Sequence, residues 1–362
     1  MRVLIASGSS GGHIFPALAL INSLKEPSIR ILLVLPQKAK ENKIPVNAVT
    51  TEYIHTVNLT LSLSKKNILG AFIFLLAAWE SLRIILRFKP EVVVGFGSLN
   101  TVALIFWAWL FRINTIVHEQ NVIPGRANRL LSKIADKIAV SFIQTAGYLN
   151  VSGRKVFLVG NPVRRELVKL DQKEALEFFG FKEGKFNLLI TGGSQGSHKL
   201  NTVVFETIAA LKVKDAFQVV HISGSQDFAE LKSRYASLAV PHKIFDFFPN
   251  MQYAYSASDL VICRAGATTI AELQKFAIPA VLVPYPYAYA HQLANARALE
   301  ITKAAVIIND QELNVEKLSR LLIDFLENPA KLTEMRSAFK VIGISDAAGL
   351  LAKEVLSFTH NN

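Results

Sequence analysis

The residues best suited to chemistry lie in one stretch of the second half of the chain. Residues 259–263 predict a short buried strand, residues 264–269 predict a tight loop, and a helix is expected from about Ile270. A helix that begins after small residues presents free N–H groups, which bind phosphate or diphosphate. The residues that would form this anion site are Gly266, Ala267, Thr268 and Thr269, with either threonine as the helix cap.

Glu272 follows about one turn inside that predicted helix. A carboxylate at this position can accept hydrogen bonds from the vicinal hydroxyls of a sugar while it stays clear of the phosphate charge. The alternative is that Glu272 only interacts favourably with the helix dipole. The sugar-binding interpretation gains weight from polar groups elsewhere in the chain.

A second candidate group lies near the N-terminus. Residues 3–6 predict a strand that runs into a glycine-rich turn ending at His13, and a helix is expected from about Ile14 or Pro16. His13 can act as a general base or simply cap its helix. The glycines do not have the G-x-G-x-x-G spacing, and no acidic residue follows the second predicted strand, residues 31–35, so an NAD site is not expected.

A third candidate group follows the predicted strand at residues 114–117. Four polar residues come in succession there, namely His118, Glu119, Gln120 and Asn121. In an open parallel sheet, ligands bind beyond the carboxyl ends of the strands. We therefore expect these side chains to lie at a ligand site.

The elements that must position these groups alternate between strand and helix, which indicates an α/β fold. A second glycine-rich turn, in the stretch that starts at Leu189, matches the stretch that starts at Leu4 at six of ten positions. Chance convergence of two glycine and serine turns is the alternative. We predict two Rossmann-like parallel-sheet domains facing across a cleft: residues 1–160, joined by a C-terminal helix at 346–358, and residues 161–345. The other expected strands are residues 91–95, 137–141, 156–158, 217–222, 243–245, 280–283 and 304–308.

The chain has 362 residues, which suits two domains, and a net charge of +12. Residues 1–160 contain 18 Lys and Arg against 7 Asp and Glu, whereas residues 161–362 contain 22 against 21. The basic first half should attract an anionic surface, and without zinc-knuckle spacing or an RNA-binding aromatic string, acidic lipid is favoured over nucleic acid. The lone Cys263 lies in an apolar strand and is expected to be an inert packed thiol.

An uncharged apolar run at residues 67–79 follows Lys65 and Lys66, and residues 101–111 form a second very apolar helix candidate. The run is shorter than the about 20 residues that span a bilayer. Three interpretations remain open: a buried core helix, a helix lying on the membrane, and part of an oligomer interface. Apolar surface fringed by basic residues is what peripheral membrane binding requires. On that interpretation, Ile73, Leu75 and Leu76 form the lipid-facing side.

Six motifs stand in register along the chain. They are Ser10-Gly11-Gly12-His13; His118-Glu119-Gln120-Asn121 with Gly125 and Asn128; Gly160-Asn161-Pro162-Val163-Arg164; Gly192-Gly193-Ser194-Gln195-Gly196 with Asn201; Cys263-Arg264-Ala265-Gly266-Ala267 with Glu272; and His291-Gln292 with Asn295. Their order and spacing closely resemble the MurG family of glycosyltransferase family 28, which has the two-domain GT-B architecture. The resemblance runs from about residue 2 to residue 357.

The resemblance implies an inverting transfer of N-acetylglucosamine (GlcNAc) from UDP-GlcNAc to the 4-hydroxyl of N-acetylmuramic acid in undecaprenyl-diphospho-muramoyl-pentapeptide. This is a step of peptidoglycan synthesis, and so of cell-wall growth and division. It also implies a cytoplasmic enzyme, peripheral on the inner face of the plasma membrane. No cofactor is implied. The chain has no Asp-x-Asp motif that would hold a divalent metal, and none is expected.

The family's functional residues fall on the following positions. Ser10, Gly11, Gly12 and Asn121 would face the GlcNAc and the reacting centre; Arg164 and Ser194 would hold the diphosphate side; Phe248 would meet uracil through its backbone; Ala267, Thr268 and Thr269 would supply helix N-terminal amides; Glu272 would bind the ribose hydroxyls; and Gln292 would bind the sugar. The expected base is His13, with Glu119 as the second choice.

The chain departs from the family pattern on the acceptor side. The family's Gly-Gly-Tyr-Val-Ser-Gly-Pro loop is Gly-Ser-Leu-Asn-Thr-Val-Ala here, at residues 97–103, and the usual Asp before His-Gln is Ala290. Two other hypotheses remain open. One is a UDP-GlcNAc 2-epimerase on the same architecture, and the other is a non-catalytic sugar-nucleotide-binding partner of other cell-wall enzymes. The retained His13, Glu119 and Glu272 argue against the second.

Overall fold

The computed structural model describes residues 1–41, 46, 49–56, 65–193, 195–286, 290–342 and 346–359. The chain divides into two compact units, Met1–Arg164 with Asp346–Asn362, and Arg165–Ser345. Each unit is built on one parallel sheet flanked by helices. The predicted α/β class with two Rossmann-like sheets is therefore confirmed.

The first unit contains seven strands within the described ranges. They are β1 (Arg2–Ala6), β2 (Arg30–Pro36), β3 (Thr51–Ile54), β4 (Val92–Gly95), β5 (Asn114–Glu119), β6 (Lys137–Val140) and β7 (Val156–Leu158). Their order across the sheet is β3-β2-β1-β4-β5-β6-β7, which is the Rossmann order with one further strand. The carboxyl ends of β1, β4 and β5 are therefore neighbours.

The two faces of the first sheet bury alternate residues of β1 under different helices. Val3 and Ile5 pack with α1 (Gly11–Ser23) and with the C-terminal helix α13 (Ala347–Leu356). Leu4 and Ala6 pack with residues of α2 (Lys65–Phe88), α3 (Leu99–Leu110) and α4 (Arg126–Leu131). Helices α2 and α3 therefore cover one face of the sheet together.

The C-terminal helix α13 returns to the first unit. It begins after Asp346, whose Oδ1 accepts a hydrogen bond from the backbone N of Gly349 at 2.9 Å. Lys137 on β6 donates from Nζ to Oε2 of Glu354 at 2.7 Å. Asp346 therefore caps the helix, which ends at Leu356 rather than at residue 358 and is followed by a 3-10 turn (Ser357–Thr359).

The second unit contains a six-stranded sheet in the part of the chain that is described. Its strands are β8 (Phe186–Thr191), β9 (Phe217–Ile222), β10 (His242–Phe245), β11 (Leu260–Cys263), β12 (Ala280–Leu282) and β13 (Ala305–Ile307), in the order β10-β9-β8-β11-β12-β13. Its helices are α5 (Gln172–Phe179), α6 (His198–Ala210), α7 (Phe228–Ala236), α8 (Met251–Ala257), α9 (Ala267–Phe276), α10 (His291–Glu300), α11 (Val315–Glu327) and α12 (Pro329–Ile342). Strand β8 holds the same central place as β1, so the two matching glycine-rich turns follow equivalent strands.

Several predicted helix boundaries were wrong. Helix α1 begins at Gly11 rather than at Ile14 or Pro16, and α3 begins at Leu99, inside the stretch expected to be a loop. His118 and Glu119 belong to strand β5 rather than to the loop after it. Serine is a common N-cap residue, and Ser10 and Ser98 precede α1 and α3, but neither side chain forms a capping hydrogen bond.

Candidate active site

His13 lies at the carboxyl edge of the first sheet, as the third residue of α1. Its ring fits beside Gly8, because a Cβ atom at Gly8 would lie 2.8 Å from Cδ2 of His13 and 2.9 Å from Cβ of Ser98. Real Cβ atoms do not approach so closely. The absence of a side chain at Gly8 therefore makes room for the imidazole in this position.

The environment of His13 favours a neutral imidazole. Burial lowers the pKa of His13 below its ordinary value of 6.5, while the negative charge of Glu119, the Phe96 carbonyl and the Gln120 side chain act in the opposite direction. Atom Nδ1 is buried and has no well-formed hydrogen bond among the described residues. The residue as a whole is only partly buried. A neutral histidine at a partly open site is suited to accept a proton.

Glu119 is fixed by four hydrogen bonds. Its Oε1 accepts from the backbone N of Asn121 at 2.9 Å and from Nδ2 of Asn121 at 3.1 Å. Its Oε2 accepts from the backbone N of Gly125 at 3.1 Å and from Nδ2 of Asn128 at 2.8 Å. The side chain is 2% exposed. The carboxylate therefore shapes the turn that follows β5, and its charge lies close enough to act on His13.

The other predicted residues of the first unit lie around the same helix start. Ser10 is the N-cap of α1, and Gly11 and Gly12 form its first turn. The guanidinium carbon of Arg164 lies 4.3 Å from the ring centroid of Phe15, two residues after His13. The structure thus brings together Ser10, Gly11, Gly12, His13, Glu119, Asn121 and Arg164 within one unit.

The predicted anion site of the second unit is the N-terminus of α9. The helix begins at Ala267 after Gly266, so the expectation that Thr268 or Thr269 caps it was wrong. Both threonines instead belong to the first turn, together with Ala267. The N-terminus of this ten-residue helix remains suited to a phosphate, because the helix dipole favours negative charge there.

Glu272 lies on the same helix and is 7% exposed. Its Oε2 accepts a hydrogen bond from the hydroxyl of Tyr255 at 2.7 Å. Cys263, at the end of β11, is fully buried, and burial together with the charge of Glu272 raises the pKa of its thiol to about 12. The prediction of an inert packed thiol is confirmed.

Gln292 contacts the loop before α9. Its Oε1 accepts from the backbone N of Ala265 at 3.2 Å and from the backbone N of Tyr285 at 2.9 Å. Asn295, one turn further along α10, donates from Nδ2 to the carbonyl of Ala265 at 3.3 Å. The two amides therefore fix the loop that leads into the helix start.

Phe248 is 7% exposed and lies in an aromatic cluster after β10, with ring centroids 4.5 Å from Phe245 and 5.7 Å from Phe179. Ser194 lies outside the described residues. The neighbouring Gly196 has φ +73, and a Cβ there would lie 2.2 Å from the carbonyl oxygen of Ser223. A close contact between the turn after β8 and the end of β9 thus requires glycine at position 196.

Arg264 is a residue whose role the sequence did not reveal. It is 8% exposed, donates from Nη2 to Oγ of Ser197 at 2.7 Å, and donates from Nη1 to Oδ1 of Asp310 at 2.5 Å. Ser197 precedes α6, so this guanidinium ties the glycine-rich turn to the end of β11. The only sequence signal for this role was that Arg264 lies inside one of the six motifs.

Helices α2 and α3 carry an exposed apolar surface, which we call the apolar face. On α2, Leu75, Trp79 and Leu86 are 66%, 56% and 55% exposed and lie on one side of the helix. Ile73 and Leu76, which were also expected on the lipid-facing side, are partly buried, and their contact with lipid stays a prediction. In the second half of α3, the exposed residues are Phe106, Trp109 and Leu110.

Two arginines lie beside the apolar face on α2, and one of them, Arg87, forms an ion pair with Glu52. Arg83 and Arg87 are exposed on α2, and Arg83 lies 5.9 Å from the Trp79 ring. Ile84 and Ile85 on the opposite side of α2 are buried, so α2 contributes to the core and to the surface at once. Among the described helices, none is both long and apolar enough to cross a bilayer.

Two family models match most of the chain. The glycosyltransferase family 28 N-terminal domain matches residues 3–140, and the glycosyltransferase family 28 C-terminal domain matches residues 187–351. The first match falls within the first unit, and the second covers most of the second unit and extends into helix α13 of the first.

Curated relatives match at nearly full length. The UDP-N-acetylglucosamine–N-acetylmuramyl-(pentapeptide) pyrophosphoryl-undecaprenol N-acetylglucosamine transferase of Thermodesulfovibrio yellowstonii is 37% identical over 351 residues, which cover 95% of this chain and 94% of that protein. The enzyme of the same name from Listeria monocytogenes is 36% identical, with 99% of each chain covered.

Among solved structures, Acinetobacter baumannii MurG superposes with a TM-score of 0.77 at 26% identity, covering 98% of this chain and 99% of that one. A UDP-GlcNAc 2-epimerase from Neisseria meningitidis has a TM-score of 0.72 at 15% identity, covering 99% of this chain and 100% of that one. The second likeness concerns the fold alone. The predicted GT-B fold is confirmed.

Proposed function

Because this chain belongs to glycosyltransferase family 28, we propose that it transfers GlcNAc from UDP-GlcNAc to the 4-hydroxyl of the muramoyl unit in undecaprenyl-diphospho-muramoyl-pentapeptide. The observation that carries this conclusion is the 37% identity to a transferase of this name over 95% of the chain. The first unit supplies His13 at the carboxyl edge of its sheet. The second unit supplies the N-terminus of α9 and the buried carboxylate of Glu272.

The proposed chemistry in the first unit is general base catalysis by His13. The 4-hydroxyl oxygen of the acceptor attacks C1 of GlcNAc, the bond from C1 to the UDP oxygen breaks, and the hydroxyl proton passes to the imidazole. A single displacement converts the α-linked donor into a β-linked product. His13 suits this role because its lowered pKa keeps it neutral at physiological pH. Glu119 suits it less, because its four hydrogen bonds hold the turn after β5.

The proposed role of the second unit is to hold the nucleotide. The diphosphate would meet the N-terminal amides of α9 at Ala267, Thr268 and Thr269, where the helix dipole favours negative charge. Glu272 would bind the ribose. Ser194 would hold the diphosphate, Phe248 the uracil and Gln292 the sugar. Arg164, which belongs to the first unit, is also proposed to hold the diphosphate. These groups stabilise the departing UDP without a metal ion.

The apolar face and its basic surroundings support binding to an anionic membrane surface, where the lipid-linked acceptor is found. Leu75, Trp79 and Leu86 expose apolar area beside Arg83 and Arg87. Such a surface binds acidic headgroups through charge and enters the interface through its apolar side chains. We place the enzyme on the cytoplasmic side of the membrane, where UDP-GlcNAc is available.

One experiment separates this function from the epimerase and from a non-catalytic partner. The protein is incubated with UDP-GlcNAc, with and without a short-chain analogue of the muramoyl-pentapeptide lipid, and the nucleotide sugars are separated. We expect UDP to form only when the lipid is present. Formation of UDP-N-acetylmannosamine without lipid would establish the epimerase instead, and binding of UDP-GlcNAc without turnover under either condition would establish the non-catalytic partner.

A further inference from the structure

Tyr255 and Glu272 lie on different helices of the second unit and share a hydrogen bond of 2.7 Å from the tyrosine hydroxyl to Oε2. We propose that Tyr255 is a positioning residue that orients the Glu272 carboxylate toward the ribose hydroxyls, and so sets how strongly the protein distinguishes ribose from deoxyribose. The inference rests on the proposed function, in which Glu272 binds the ribose.

The packing of Tyr255 is set by α9 itself. Tyr255 is 2% exposed on α8, and its ring centroid lies 5.1 Å from that of Phe276, one turn after Glu272. Residues four apart on a helix are neighbours on one face. Tyr255 therefore contacts that face twice, through its ring at Phe276 and through its hydroxyl at Glu272.

The carboxylate needs such a partner for two reasons. Glu272 is 7% exposed, and a buried charge is costly unless it is hydrogen-bonded. The last torsion of a glutamate side chain is also broad, so a carboxylate without a fixed donor rotates between orientations. A buried hydroxyl at Oε2 favours one orientation of the carboxylate plane.

Orientation matters because of what the carboxylate recognises. A site built to bond a hydroxyl rejects the analogue that lacks it, since its own polar group is then left unpaired. If the orientation of the carboxylate is less firmly set, it can find other partners when the hydroxyl is missing, and the penalty against the deoxy analogue shrinks. Loss of the Tyr255 hydroxyl should therefore reduce discrimination as well as affinity.

The test is calorimetric titration of the full chain with UDP and with 2′-deoxy-UDP. The variants are Tyr255→Phe and, as a matched control, Tyr235→Phe. Tyr235 is equally buried in the same unit, and its hydroxyl lies 3.1 Å from Nδ1 of His221, so its variant also loses a buried hydrogen bond.

We expect the unmodified chain to bind UDP about tenfold more tightly than 2′-deoxy-UDP. For Tyr255→Phe, UDP binding should weaken about tenfold and the ratio of the two affinities should fall toward one. For Tyr235→Phe, the ratio should stay at the unmodified value. Thermal unfolding of both variants checks that each is folded.

The outcomes distinguish this inference from the proposed role of Glu272. An unmodified chain that binds both nucleotides equally would refute ribose binding by Glu272. Normal discrimination in Tyr255→Phe, or an equal loss in Tyr235→Phe, would overturn the role of Tyr255 alone. Glu272→Gln supplies a second readout, because adding Tyr255→Phe to it should cause no further loss of discrimination if the tyrosine acts through this carboxylate.

Discussion

Glu119 and Asn121 are joined by two hydrogen bonds, since Oε1 of the carboxylate accepts from both the backbone N and Nδ2 of Asn121, at 2.9 and 3.1 Å. The second carboxylate oxygen bonds Gly125 and Asn128. One acidic side chain thus organises the turn that carries Asn121, a residue expected at the reacting centre. A residue so committed is better suited to shape the site and tune His13 than to take a proton itself.

The first prediction concerns the pH dependence of kcat/KM. A base works in its neutral form, so the rate falls as the pH drops through the pKa of His13. Because burial lowers that pKa, the fall is expected below pH 6.5. Glu119→Gln removes the charge that raises the pKa of His13, so the acid limb should move to still lower pH.

A pH–rate profile of both forms measures this shift. The variant will be slower overall, because its turn loses hydrogen bonds, but the position of the acid limb is independent of the maximal rate. A limb centred above pH 6.5 in the unmodified enzyme, or a limb that moves upward in Glu119→Gln, would contradict the assignment of His13 as the base.

A second prediction concerns the space beside His13. Gly8→Ala places a Cβ atom within 3 Å of both the His13 ring and Cβ of Ser98, so the imidazole must shift. A misplacement of about 1 Å can cost on the order of 100-fold in rate. We expect kcat to fall by about that factor while UDP affinity changes little, as measured by steady-state kinetics and titration.

Gly147→Ala is the matched control for this substitution. Gly147 lies in the same unit, and a Cβ there would meet no heavy atom within 4 Å. Its kcat should remain within about twofold of the unmodified value, as is usual for a surface substitution. An equal loss in both variants would indicate general destabilisation instead of displacement of His13.

A third prediction concerns the apolar face. Replacing Leu75, Trp79 and Leu86 together by Ser removes apolar area that is already exposed, so the fold should be retained. Binding to vesicles that contain acidic phospholipid should weaken at least about tenfold in a sedimentation assay. Ile301→Ser is the control, because Ile301 is 78% exposed in the other unit and should leave vesicle binding unchanged.

Unchanged vesicle binding by the triple variant would contradict a membrane role for this face. Light scattering tests the alternative that the apolar face is an oligomer interface. In that case the triple variant would have a lower particle mass than the unmodified protein. We expect the mass to stay constant.

The sequence predicted the strands well because most strands of both sheets are buried on both faces. A continuous apolar run located the fully buried β9 to the residue and β11 to within one residue. Strand β3, at the edge of the first sheet, was not predicted; its first three residues are only partly buried, so it lacks a continuous apolar run. The sequence also predicted that His13 and Glu119 lie near each other, because the carboxyl ends of strands in a parallel sheet meet at one edge.

The helix starts and the contacts between distant residues were not predictable in the same way. Helix α3 begins after Ser98, which has φ +79, where the family motif has a glycine. Left-handed backbone at a serine is not signalled by local propensity. The bonds from Tyr255 to Glu272 and from Arg264 to Ser197 join residues 17 and 67 positions apart, so only the folded chain reveals them.

The most direct test of the central claim is transfer of radiolabelled GlcNAc from UDP-GlcNAc to the short-chain muramoyl-pentapeptide lipid in the presence of EDTA, by the unmodified protein and by His13→Ala. We predict a labelled β-linked disaccharide lipid from the unmodified protein and about 100-fold or more less from the variant. Absence of labelled lipid, under conditions in which UDP-GlcNAc is bound, would contradict the proposed reaction.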